Sequence, residues 1–354
     1  MSPLALLPVL ALAALVSLAA AGLLLVTGHG APQLAAHLAF ALGIVPLILA
    51  AMSYFVPVLT RSAAAGFGAC WPPLLAWSGG ALALYAFAGD FSPALLSLAA
   101  TLAGVAAAGL GGWALLRVRR MFGPRHRGLD WYLTALGFLL LALVAVVLMP
   151  LYPEQRSALR LFHLHTNLLG FVGLTALGTL QVLLPTCIGR PDPDAALRLR
   201  RDLKWAVGGV LLISLGAATA PQAGAALASL GTVLYAWIVL NMLLGWRRRF
   251  GKDLLQMHGA AASLATAAFG LFSLLLLGLA HGAGWLQGRP SVAGYVIAFL
   301  LPLVSGAAAY LLPVWLRPGA HNEWHISLRT RLCRWAGVRA LVLLLLGLAL
   351  TVAH

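Results

Sequence analysis

The first 25 residues after the initiating dipeptide, "PLALLPVLALAALVSLAAAGLLLVT", contain no charged side chain, and such stretches recur to the end of the chain. An apolar run of this length buries its backbone in lipid only as a helix, because hydrocarbon offers no partner to an unpaired N–H or C=O. Runs that are continuous rather than alternating exclude a β-barrel. With 62% hydrophobic and 9% charged residues in 354, the fold class is an all-α polytopic membrane protein, a single membrane domain over 1–354.

Eleven spans are predicted, at 3–27, 33–60, 69–89, 92–116, 129–152, 161–186, 203–221, 223–245, 257–282, 291–315 and 333–353. A cytoplasmic N-terminus puts 20 of the 23 Lys and Arg on the inner side, leaving Arg156, Arg160 and Arg289 outside, as the positive-inside rule requires. The net charge of +15 expresses that rule, and its scatter over five loops speaks against nucleic-acid binding. The expected location is a bacterial inner membrane. Cys70, Cys187 and Cys333 fall at cytoplasmic helix ends, without a CxxC or CxxCH motif, and are expected to be inert.

"PLILAAMSYFVPVLTR" at 46–61 aligns with "PLVSGAAAYLLPVWLR" at 302–317, sharing seven positions at an offset of 256. Half that offset, 128, carries His37 onto His165, and each is followed twenty residues later by a proline, Pro57 and Pro185. Ala293 holds the corresponding place in a third copy. The chain reads as pseudo-repeats 1–125, 126–253 and 254–354, with four, four and three helices. Pro46 and Pro302 are expected to bend their helices near mid-membrane.

Of ten histidines, His29, His37, His163, His165 and His281 fall toward the outer face. His126, His258, His321 and His325 lie with the inner arginines, where solvated-loop or interfacial roles are expected. An imidazole inside a helix in lipid must be paired or must ligate something. Two imidazoles on facing helices are the ligand set of a b-type heme, each ring fixed by a hydrogen bond from its other nitrogen. His37 and His165 are the expected axial ligands, with room from Gly43, Gly170, Gly173 and Gly178, and with Arg156 or Arg160 at the propionates. His163 stands about 200° from His165 around the helix and faces a different groove. His37, His163, His165 and His281 are the candidate metal ligands; catalytic residues are not assigned.

"HLHTNLLGFVGLTALGTLQVLLP" resembles the tenth helix of the catalytic subunit of C-type heme-copper oxidases, and "LHTN" resembles that subunit's second helix. That family has three four-helix units, an inner N-terminus and hemes near the outer surface. The resemblance implies a low-spin heme ligated by His165 and His37, with His163 serving the neighbouring groove. It implies heme b, one or two, with copper as an open alternative. The sequence departs from the family in the helix after the motif, "LKWAVGGVLLISLGAATAP", which lacks the copper histidines, and no Asp or Glu lies inside any predicted span. "CIGRPDP" at 187–193 is similar to a heme- and copper-containing membrane family associated with nitric oxide response (NnrS-like). The expected role is electron transfer or handling of nitric oxide or oxygen. The expected partners are the lipid bilayer, an electron-donor protein or partner subunit, and a gas ligand. A transporter, a heme or metal insertion factor, and an accessory subunit without cofactors are the alternatives.

Overall fold

The computed structural model describes residues 3–29, 31–89, 92–219, 221–286 and 291–353. It is 86% helix, with no strand among the described residues. The helices are α1 (Pro3–Thr27), α2 (Pro32–Leu59), α3 (Trp71–Ala88), α4 (Pro93–Arg120), α5 (Gly128–Leu148) and α6 (Pro153–Ile188). They continue as α7 (Ala195–Ala218), α8 (Pro221–Phe250), α9 (Ala260–Gly282), α10 (Ser291–Leu316), α11 (Glu323–Cys333) and α12 (Ala336–Val352). Among the described residues, nine helices are long and apolar enough to cross a membrane, the last of them α11 and α12 together. Two expected spans fall outside that set. The 69–89 segment folds as α3, 18 residues long. The 203–221 segment begins eight residues earlier, at Ala195, so α7 opens with Arg198, Arg200, Arg201 and Asp202 before its apolar part.

That charged opening is anchored rather than loose. Arg198, 8% exposed, meets Asp192 at 2.6 Å and donates from Nε to Gln181 Oε1 at 3.1 Å. Trp131 is fully buried and its indole N–H donates to Leu199 O at 2.9 Å, tying α5 to α7. Further along, α7 and α8 approach backbone to backbone, where a Cβ on Gly231 would lie 2.6 Å from Gly209 O. Small residues permit that approach, which lipid cannot drive by hydrophobicity.

Three helices are widened by π-helical segments: α2 at Leu38–Ile44, α6 at Thr166–Gly173 and α10 at Tyr295–Leu300. They start 128 and then 129 positions apart. In α2 and α10 the segment leads into Pro46 and Pro302, whose missing N–H relaxes the normal ladder. Each of these prolines thus stands just after a π-helical segment. α6 has no proline there, yet widens in the same way.

A widened turn exposes carbonyls, and each segment has a neighbour against the corresponding oxygen. Gly80 of α3 lies against Ala41 O, and Gly270 of α9 against Ala298 O. In α6 the partners are hydroxyls: Tyr235 donates to Leu169 O at 3.0 Å and Tyr295 to Leu168 O at 2.6 Å. Freed backbone groups in lipid need such partners.

α2, α6 and α10 meet around a cavity of about 110 Å³. Its wall repeats a spacing of 128: Ile44, Val172 and Leu300; Leu47, Thr175 and Leu303; Ile48, Ala176 and Val304; Ala51, Thr179 and Ala307. Equivalent turns of the three helices therefore face one central axis.

Candidate functional site: the outer imidazoles

His37 and His165 are each the last α-helical residue before a π segment. π-helical turns are frequent at functional sites. In the third widened helix that place belongs to Ser291–Gly294, with Ala293 buried there.

The outer histidines share one bonding pattern. His37 Nδ1 lies 2.8 Å from Gln33 O, and His163 Nδ1 lies 2.9 Å from Ala142 O of α5. His165 Nδ1 is 2.9 Å from Leu161 O, and His281 Nδ1 is 2.9 Å from Leu286 O. A carbonyl oxygen only accepts, so each Nδ1 carries the proton and donates. The lone pair of each Nε2 is left available, the tautomer that ligating imidazoles use.

The inner histidines are wired differently. His126 Nδ1 accepts from Gly128 N at 3.1 Å, and His258 Nδ1 accepts from Trp335 N at 3.0 Å. Burial is the main cause that holds the His126 imidazole below the ordinary histidine range, which suits an acceptor. His325, expected in a solvated or interfacial role, is 3% exposed and closes the capping box that starts α11. Both its nitrogens are engaged, Nδ1 with Asn322 and Nε2 with Arg317 O at 2.8 Å. These three act in the fold.

His163 lies near enough to His37, and His281 to His165, for one charge to act on the other. Of the two rings of "HLH", His163 reaches Ala142 O on α5, whereas His165 stays on its own helix at Leu161 O. Phe87 of α3 covers His37, with ring centroids 4.4 Å apart.

The glycines expected to make room for a flat cofactor do other work. A Cβ on Gly170 would meet Phe138 at 2.7 Å, one on Gly173 the Tyr235 hydroxyl at 2.6 Å, and one on Gly178 Trp131 at 2.7 Å. Gly43 faces Ser17 at 3.1 Å. They admit neighbouring side chains into the helix surface. Arg156 and Arg160 are exposed at the start of α6; Arg289 lies outside the described residues. His29 is exposed beyond α1. Among the described residues no group of three or more His, Cys, Asp or Glu is placed to hold a metal ion.

Two polar atoms next to His165 have no partner: Thr166 Oγ1, on a fully buried residue, and Asn167 Oδ1. Sequence reasoning passed over them, although "HTN" stands in its quoted motif. Buried polar atoms without partners are few in folded proteins and mark unfinished chemistry.

Comparison with protein-family models, with curated proteins and with solved structures finds no match in any of the three.

Proposed function

We infer that this protein is an integral membrane heme-binding protein of heme-copper-oxidase-like design, with its cofactor sites at the end of the bundle that carries His37 and His165. The observation that carries this reading is the uniform Nδ1-to-carbonyl anchoring of His37, His163, His165 and His281. A helix in lipid gains nothing by presenting four bare Nε2 lone pairs unless something takes them. The donor set fits a b-type heme, which needs two imidazoles and no third protein ligand. The π segments and the cavity wall repeating at 128 support the three-unit architecture, in which α3 and α7 complete eleven spans.

His37 with His163 forms one axial pair in this reading, and His165 with His281 the other. The carbonyls of Gln33, Ala142, Leu161 and Leu286 fix ring orientation and raise imidazole basicity. Phe87 shields the first pair from lipid and water. Thr166 and Asn167 bring polar atoms to the second, and Arg156 and Arg160 supply cations at the outer surface for propionates. When bound, heme supplies one-electron and gas-ligand chemistry at its iron. Electron transfer, or handling of nitric oxide or oxygen, is the corresponding activity, with an electron-donor protein as partner.

The test is a reduced-minus-oxidised optical spectrum of the purified protein, then the same with carbon monoxide, on wild type, His37→Ala, His163→Ala, His165→Ala and His281→Ala. Loss of the same band in the His37 and His163 variants, and of a different one in the other two, is the expected result. A full heme complement in all four variants, or a colourless wild type after heme reconstitution, overturns the reading. The second outcome leaves the transporter, insertion-factor or accessory-subunit alternatives.

A further inference from the structure

None of the histidines lines the central cavity. It runs along α2 from Ile44 to Phe55, a helical rise of about 16 Å. A volume of about 110 Å³ spread over that length is a narrow file. Its wall carries no charged residue, and its hydroxyls are already committed. Thr175 Oγ1 donates to Phe171 O at 2.7 Å and Thr179 Oγ1 to Thr175 O at 2.8 Å. Tyr132 and Thr179 hydroxyls are 2.9 Å apart, so the Tyr132 proton goes to Thr179 Oγ1. A buried water needs two to four polar partners, and this wall does not offer them.

One polar atom in the wall residues is unspent. Trp315 lines the cavity and is 5% exposed, and its Nε1 has no partner. A buried indole N–H normally finds one.

We propose that this file is a binding site for a slim, uncharged, apolar guest of the dissolved-gas class, monatomic or diatomic. Width excludes rings, because a dry cavity that admits benzene is larger, about 150 Å³. The absence of charge in the wall excludes ions. Ala51, Ala176 and Ala307, one from each of α2, α6 and α10, set the width. The site stands whether or not the imidazoles bind heme.

Xenon is the probe. The full chain in detergent is titrated under xenon pressure and followed by xenon-129 NMR, alongside Ala51→Leu and Ala307→Leu. A saturable xenon shift in wild type, weakened about tenfold or more in either leucine variant, is expected, since a tenfold change is a modest loss of binding free energy. Circular dichroism and size exclusion establish that the variants fold, and Ala176→Leu fills the same space from α6 if one of them does not. A linear, non-saturating shift identical in wild type and variants overturns the proposal. So does recovery by mass spectrometry of one tightly held lipid chain per wild-type protein that the leucine variants lack, because the file is then a lipid site.

Discussion

The second and third π segments occupy matching places in α6 and α10 and have opposite surroundings. Beside the second stand His165, Thr166 and Asn167, with two polar atoms unpaired and a hydroxyl from each of Tyr235 and Tyr295 on its carbonyls. Beside the third stand Ala293, Gly294 and Ala298, against which α12 closes backbone to backbone. A Cβ on Gly347 of α12 would lie 2.7 Å from Ala298, and Gly294 lies against Thr351. The same backbone device is left polar and unfinished in one helix and packed shut in the other. Ala293 is buried beside this closure, and the widened turn by itself does not make a ligand site.

The largest effect that would break this comparison is steric. Gly294→Leu forces a side chain into Thr351 and α12, and is expected to destabilise the protein by about 2–4 kcal/mol, in the range of overpacked cores. Thermal or denaturant unfolding in detergent measures it; an unchanged transition means that the third segment is not closed by α12. A smaller effect tests the link between the two segments. Tyr295→Phe removes the donor to Leu168 O while keeping the ring, and should cost about 1–2 kcal/mol, also shifting any band that depends on His165. An unshifted band would separate the backbone of α6 from its imidazole. Smallest is Thr166→Val, which deletes a buried hydroxyl without a partner. The heme-free protein should gain up to about 1 kcal/mol, whereas the heme-loaded protein should not gain if the hydroxyl serves the bound state. Equal gains in both forms would leave Thr166 without a role at the site.

Much of this was legible in the residues. Uninterrupted apolar runs dictate helices in lipid, and α1, α5, α9 and α10 lie within a few residues of their expected bounds. The 128-residue offset between "HLHTN" and His37 placed both histidines at matching positions, and the structure puts both immediately before π segments. Pro46 and Pro302 stand just after two of the three π segments. The third, in α6, has no proline, and its cause is tertiary: Tyr235 and Tyr295 come from 66 and 127 residues away to take its carbonyls.

By itself, then, the sequence determined the element type and the apolar character of the helices, because these follow from side chains a few positions apart. Only the tertiary structure decided that Ala142 O of α5 anchors His163, and what the glycines admit. A helix's own periodicity gives the direction in which His163 or Gly170 points, but not the helix waiting there. A π segment also widens the turn, so directions beyond it no longer follow the 3.6-residue period. That is why the period alone did not foretell that Gly170 and Gly178 hold Phe138 and Trp131.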